Sequence, residues 1–375
     1  MMPTGTTNPK TKTYDFVFIG TGMIPALEAV HQSRCGKSVL MIDCQPDFGG
    51  AWLSKKLFGV TDIENAIHYL LPDKIAPDFM REVLKWDVIP SPRKYRVFNL
   101  PGFGRCKSRY DSKFGRIAAK LVEEPGIGFF AALRDALLRD APRSYYVRGG
   151  APEMLRKVKA ILTASNVEVR YSTLIDRIHI DKVAGQVESH TASETIRSKT
   201  IVIPHGAKIR ELTSTKGPYP IEHKHHPRPA AHMFLRDDFA SDMYECIFTA
   251  DPIIKYAHDV TRFTHEAPQL LGKKKMIVLA FKHDVQNSAE LFPAVLDKLK
   301  WAGMAGPNAV LEGSHWWDIV LPTLEDDDLD RMKAEFGEQV EVLKTDNFGV
   351  GIGMYAERWS RTIKFPPEEM KLRVA

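Results

Sequence analysis

Residues 15–20 (DFVFIG) form an almost unbroken apolar run that ends on glycine, the pattern of a strand buried on both faces. The spacing then lengthens, with Ile24, Leu27 and Val30 recurring at helical intervals on one side. Residues 37–43 (KSVLMID) close a second short apolar strand on an acid. This order predicts a strand–helix–strand unit. Further along, residues 129–140 (FFAALRDALLRD) read as an amphipathic helix and residues 167–171 as a strand. Residues 177–180 and 186–190 flank Ala184-Gly185 as a hairpin would, and residues 196–203 return as a strand to the parallel sheet. Near the end, residues 340–343 form a strand, and glycines at 349, 351 and 353 open a helical stretch.

The chemistry concentrates at the first turn. Gly20-Thr21-Gly22 lies where the first strand passes into its helix, so the backbone can turn tightly and present N–H groups to a pyrophosphate. Asp43 falls 21 residues past Gly22, the place from which a carboxylate accepts hydrogen bonds from a ribose. Pro25 stands where a third glycine is usual, and proline is tolerated in a first helical turn because its missing N–H has no partner there. The turn predicts a bound dinucleotide.

Phe48-Gly49-Gly50-Ala51-Trp52 follows the acid closely, which an NAD fingerprint does not require. With the first turn, it resembles the FAD-binding superfamily of amine oxidases, protoporphyrinogen oxidases, UDP-galactopyranose mutases and Rab GDP-dissociation inhibitors. The resemblance implies an α/β fold: a Rossmann-like FAD-binding domain with a parallel sheet, plus a helical insertion and an antiparallel-sheet substrate domain. It divides the chain into FAD-binding segments at 1–85, 146–212 and 326–375, a helical insertion at 86–145 and a substrate domain at 213–325. FAD is the implied cofactor, held by Gly20, Gly22, Met23, Asp43, Gly49, Gly50, Trp52, Asp346, Gly351, Gly353 and Met354.

Within the superfamily, the middle of the chain is most similar to the mutases. Phe98-Asn99-Leu100-Pro101 matches their F-N-L-P strand end, and His68 occupies their histidine-bearing loop beside the flavin. Gly149-Gly150 looks like their glycine turn back into the FAD domain, and Thr261-Arg262 matches two residues of their Tyr-Thr-Arg triplet. The resemblance implies that His68 and Arg262 are catalytic, and that Phe98, Asn99, Arg143, Arg148, Arg262 and Tyr355 meet a nucleotide-sugar substrate. The C-terminal stretch departs from that pattern. The mutases' Gly-Arg pair is missing, and Tyr355 alone stands for their tyrosines. Two other functions are implied by the same superfamily: an FAD-dependent oxidoreductase of the amine oxidase type, and a flavin-free binding protein like the Rab GDP-dissociation inhibitors.

Charge and composition narrow the setting. Lys and Arg number 52 against 47 Asp and Glu, a net +5 that suits an anionic ligand and falls short of a nucleic-acid-binding stripe. Four scattered cysteines without a CxxC pair predict neither a disulfide framework nor a zinc site, and with a polar N-terminus and no apolar span they suggest a cytoplasmic protein. The expected partner is a small molecule, and a homodimer is compatible with the sequence. No metal is expected: His223, His225, His226 and His232 read as a polar loop broken by Pro227 and Pro229. Residues 325–328 (EDDD) read as a helix cap, and His315-Trp316-Trp317 as either core or a stacking wall.

Overall fold

The computed structural model describes residues 12–64, 75–90, 94–100, 104–109, 112–123, 126–138, 145–241, 243–262, 273–343 and 348–363. The chain forms two compact units, one of residues 1–50, 157–225 and 322–375, the other of residues 51–156 and 226–321.

The first unit is built on the predicted βαβ element. Strand β1 (Thr13–Ile19) runs into helix α1 (Met23–Arg34), and the chain returns in β2 (Val39–Ile42), parallel to β1. Strand β9 (Glu168–Arg170) extends this parallel set beyond β2. On the other side of β1 lies β12 (Thr195–Pro204), also parallel, with Phe16 opposite Thr200. β12 is long enough to be shared along one edge. Its first half pairs antiparallel with β11 (Gln186–Thr191), and its last four residues pair parallel with β20 (Val340–Leu343). β10 (Ile175–Asp181) closes the hairpin at Gly185, and β13 (Glu211–Ser214) and β14 (Gly217–Tyr219) complete the nine strands. The inner face is a continuous core of Val17, Leu40, Ile178, Ile201 and Val340 against Leu329, Met332 and Phe336. Those last three belong to helix α7 (Asp326–Phe336), whose first turn is the acidic run Asp326–Asp328. The acids complement the positive end of the helix as expected. Helix α8 (Phe348–Ser360) follows β20 and packs on α1.

The second unit carries a seven-stranded sheet in the order β19 (Val310–Thr323), β15 (Lys224–Arg236), β18 (Lys274–Phe281), β17 (Ile254–Asp259), β16 (Glu245–Phe248), β6 (Lys94–Leu100), β7 (Gly104–Arg109). Among the described residues its pairings β15–β18, β18–β17, β17–β16 and β6–β7 are antiparallel, and β16 pairs parallel with β6. Helix α6 (Leu291–Ala302) buries Leu291, Val295 and Leu299 against Met233, Ile277 and Leu279 of this sheet. Two small ribbons are separate: β3 (Lys55–Leu57) with β4 (Val60–Ile63), and β5 (Val88–Pro90) with β8 (Tyr145–Val147). Helices α2 (Ile75–Glu82), α3 (Lys113–Glu123), α4 (Phe129–Leu138) and the start of α5 (Gly150–Thr163) belong to this unit.

The fold class is the one expected, a mixed α/β fold with a Rossmann-like parallel sheet and a separate, largely antiparallel one. One local expectation is corrected. The histidine-rich stretch is mainly strand, because Pro227 and Pro229 precede the register with β18, which starts at Ala230, and so cost that ladder no hydrogen bond.

Candidate functional site

At the end of β1, Gly20 takes φ +85°, a left-handed turn that favours glycine. Its N–H is held by the carbonyl of Ile42 on β2 at 2.7 Å. Asp43, the residue after β2, then latches the turn. Its Oδ2 accepts both the Thr21 N–H (2.7 Å) and the Thr21 hydroxyl (2.6 Å), and its Oδ1 accepts the Gln45 N–H (2.8 Å). The side chain is only 6% exposed. Thr21 thus shapes the turn in a way that the glycine spacing hides, although a hydroxyl between two glycines is the signal that could have found it.

Gly22 caps α1 and differs from Gly20. Its φ of −62° and ψ of 161° are open to any residue. Among the described residues, a methyl group added there would meet only the Pro25 ring, at 3.6 Å, an ordinary contact. Among the described residues no side chain caps the helix N-terminus, and no acid lies in its first turn. Pro25 costs nothing here, since the first intrahelical bond runs from the Ala26 N–H to the Gly22 carbonyl. The second glycine pair meets the first: a Cβ on Gly50 would lie 4.0 Å from the Gly22 Cα. Gly49 and Gly50 take φ +128° and +56°. Two glycine turns distant in sequence therefore converge at the positive end of α1, leaving backbone N–H groups and little side-chain bulk, as an approaching pyrophosphate requires.

The other cofactor positions separate. Met23, the first residue of α1, is buried. Trp52 is half-buried in a short 3-10 turn, Gly50–Trp52. Gly351 and Gly353 lie inside α8, with Met354 exposed, while Asp346 lies outside the described residues. Tyr355 lies tilted against Trp359 with ring centroids 5.2 Å apart, and the Arg358 guanidinium lies 5.0 Å from the Tyr355 ring. Those two neighbours bind a fully buried carboxylate on α1: Glu28 accepts from Trp359 Nε1 (2.7 Å), from Arg358 and from Gln32 (2.8 Å). His31 and Arg34, one helical turn on, bond Thr362 at its hydroxyl and carbonyl. Burial, reinforced by Arg358 and opposed by Glu28, pushes the His31 imidazole below its ordinary value. The contact thus fixes α8 on α1 by polar bonds, a role for Glu28 that helical periodicity alone does not reveal.

Among the substrate candidates, Arg148 is largely exposed and pairs with Asp87. Phe98 and Asn99 lie in β6, opposite Cys106 and Arg105. The backbone of Arg262 ends a short 3-10 turn, Val260–Arg262. His68 and Arg143 lie outside the described residues. The Gly149-Gly150 turn holds a different arrangement from the first turn. Glu64, at 2% exposure, places Oε1 within 2.6 Å of the Tyr146 hydroxyl and 2.5 Å of the Ala151 N–H at the start of α5. Burial, with Glu64 beside it, pushes the Tyr146 phenol well above its ordinary value. The Glu64 carbonyl accepts from His232 Nε2 at 2.7 Å, and Nδ1 is buried with no hydrogen-bond partner among the described residues. Burial pushes the His232 imidazole down to about 3. Its ring lies 4.1 Å from that of Trp317, while Trp316 stacks on Phe281 at 5.0 Å. Among the described residues no group of His, Cys, Asp and Glu is arranged to hold a metal ion.

No family model matches the chain, and no curated protein is similar to it at a meaningful level. Solved structures do match over nearly its whole length. A putrescine oxidase bound to putrescine is similar with a TM-score of 0.63 and 13% identity, covering 94% of this chain and 98% of that one. A candidate protoporphyrinogen oxidase from Exiguobacterium is similar at 0.60 and 12%, covering 97% and 99%. A reduced UDP-galactopyranose mutase is similar at 0.61 and 13%, covering 93% and 92%. The chain has the fold of FAD-binding oxidoreductases. At these identities the likeness speaks for architecture, and function has to come from the site.

Proposed function

We propose that this protein is a flavin-dependent enzyme that holds FAD at the convergence of Gly20–Gly22 with Gly49–Gly50. The observation that carries the reading is Gly22. Among the described residues, neither backbone conformation nor crowding requires glycine there and no side chain caps the helix N-terminus, which lies beside a second glycine turn. The requirement then comes from a ligand that approaches the backbone closely. The residues fit the group: α1 supplies N–H donors and its dipole to the diphosphate. Asp43 orders the turn through Thr21 and keeps acceptor capacity on Oδ1 for a ribose hydroxyl. Glu28 holds α8 on α1 and with it the glycines 349, 351 and 353, which the sequence assigns to the cofactor.

Bound flavin supplies redox or nucleophilic chemistry that no side chain offers. For the substrate, the reading supported by the order of Phe98–Pro101, Gly149-Gly150 and Thr261-Arg262 is a nucleotide sugar, with Arg262 on the diphosphate and His68 near the reacting ring. Arginine suits that role through its two-pronged hydrogen bonding to phosphate. The likeness to a UDP-galactopyranose mutase supports it in architecture. The test is optical. The purified protein should show flavin absorbance in the visible range, or acquire it with added FAD, and UDP- or dTDP-sugars should perturb the spectrum of the reduced form. A colourless chain that takes up no FAD overturns the cofactor assignment. Reduction of the flavin by an amine, with no response to nucleotide sugars, replaces the mutase reading with an amine oxidase one.

A further inference from the structure

The His315-Trp316-Trp317 run divides between the two faces of its sheet, because successive residues of β19 point to opposite sides. Trp316 joins the core that the sheet shares with α6, stacked on Phe281. Trp317 lies on the other face with His315, their ring centroids 5.6 Å apart. There it meets His232 of the neighbouring strand β15, at 4.1 Å and an interplanar angle of 45°. The ribbon β3–β4 lies over the same face. Its Val60 and Ile63 pack on Phe234, Met276 and Val278, and the Lys55 ammonium stands 5.0 Å from the centre of the Trp317 ring.

Two nitrogens on this face are buried and open. Neither Trp317 Nε1 nor Nδ1 of the fully buried His232 has a hydrogen-bond partner among the described residues. They are complementary. The indole N–H can only donate. His232 gives its Nε2–H to the Glu64 carbonyl, and burial keeps its imidazole neutral down to about pH 3, so Nδ1 can only accept. Buried polar groups are costly unless paired, and a donor beside an acceptor calls for a group that is both. A hydroxyl is such a group. An ammonium has no lone pair for the indole N–H. Lys55 and His315 also oppose a proton on His232, and the same repulsion opposes a cationic ligand beside it.

We infer that Trp317 Nε1 and His232 Nδ1 form a recognition pair for hydroxyl groups, and that the ligand it takes is a sugar and not an amine. One hydroxyl can bridge the pair, or two neighbouring hydroxyls of a sugar ring can take one nitrogen each. A hydroxyl that reaches these nitrogens gains two bonds shielded from water, and a ligand without one leaves both unpaired, which is how a buried polar site rejects an analogue. The choice of a sugar rests on the nucleotide-sugar reading, whereas the donor–acceptor pair rests on geometry alone.

The experiment follows the Trp317 indole N–H by nuclear magnetic resonance in the full chain, isotope-labelled at its tryptophan nitrogens. Trp317→Phe assigns the signal by its loss. Galactose and UDP-galactose should each shift it, and cyclohexylamine, a cationic ring of similar size without hydroxyls, should leave it in place. Trp317→Phe keeps an aromatic ring and deletes a donor that has no partner among the described residues, so thermal unfolding should find it no less stable than the parent. Its affinity for whichever sugar binds more tightly should nevertheless fall about fivefold or more, from the loss of one hydrogen bond. No shift with either sugar overturns the inference, as does a shift with cyclohexylamine or unchanged sugar affinity in the variant. If UDP-galactose binds by calorimetry without moving the signal, the nucleotide-sugar reading stands and the recognition pair falls. If galactose moves the signal and UDP-galactose binds no more tightly, the pair stands and the nucleotide part of that reading falls.

Discussion

Two glycine turns open helices in this chain, and the difference between them lies in what faces each helix start. At Gly20–Gly22 the polar bonds are spent on shaping the turn: Asp43 holds Thr21, and among the described residues the N-terminus of α1 receives no side-chain cap. At Gly149–Gly150 the chain fills the site itself. Glu64 reaches the Ala151 N–H at 2.5 Å, and Gly150 is glycine because a Cβ there would sit 1.8 Å from that carboxylate oxygen. Both turns satisfy the same sequence pattern. Among the described residues one has no side-chain cap and the other is closed by an internal acceptor, so a glycine pair before a helix shows close approach without saying what approaches.

The comparison predicts its largest effect at Gly150. Gly150→Ala must adopt φ +65° and push against Glu64, which should lower stability by about 3 kcal/mol or more, from left-handed strain and overpacking together. Urea unfolding measures it, and a loss under about 1 kcal/mol would mean that Glu64 moves aside easily. Glu64→Ala comes next. It strands the Tyr146 hydroxyl and the Ala151 N–H without their buried acceptor, at a cost of about 2–3 kcal/mol, whereas Glu64→Gln keeps an acceptor and should lose less. Equal losses in the two variants would show that hydrogen bonding is not what Glu64 contributes.

The first turn was legible because its parts are local: strand, glycines, helix and acid fall within thirty residues, and hydrophobic spacing reads them in order. The β10–β11 hairpin, β20 and the acidic start of α7 were legible for the same reason. Glu64 was not, because its partners Tyr146 and Ala151 lie more than 80 residues away, and no periodicity couples them. Glu28 was missed since an acid within an apolar helix reads as solvated until Trp359 and Arg358, some 330 residues on, prove to be its partners. The strand at 224–236 was read as a loop because prolines were weighed without knowing where the ladder begins.

A smaller effect sharpens the account of the closed turn. His232 is buried, its Nε2–H is committed to the Glu64 carbonyl, and its imidazole titrates near 3 instead of its ordinary 6.5. The folded state therefore holds the neutral ring where the unfolded chain takes up a proton. Stability from this residue is complete above pH 6.5 and declines as pH falls towards 3, by at most about 1.4 kcal/mol per pH unit. His232→Gln removes the titrating group, so its stability should fall less steeply between pH 6 and 4 than that of the parent protein. Parallel slopes across that window, measured by urea unfolding, would mean that the buried imidazole acquires a proton without cost.

The smallest expected change in stability is at Gly22, and it separates the two turns most directly. Gly22→Ala adopts φ −62° and ψ 161° without strain, and its methyl group meets only Pro25 at 3.6 Å. Unfolding free energy should stay within about 0.5 kcal/mol of the parent, the range of substitutions that disturb no packing or hydrogen bond. The same methyl group projects beside the uncapped start of α1, where the diphosphate of FAD is proposed to lie. FAD affinity should therefore fall at least tenfold, about 1.4 kcal/mol, read as flavin fluorescence during titration of the apoprotein. Gly20→Ala is the control: nothing lies within 4 Å of its added Cβ, but φ +85° makes the residue strained, so it should lose stability by about 1 kcal/mol before any effect on the cofactor. If Gly22→Ala is as unstable as Gly150→Ala, the protein itself requires that glycine and the inference to a ligand fails. If it is stable and binds FAD as the parent does, the turn is open but the cofactor lies elsewhere.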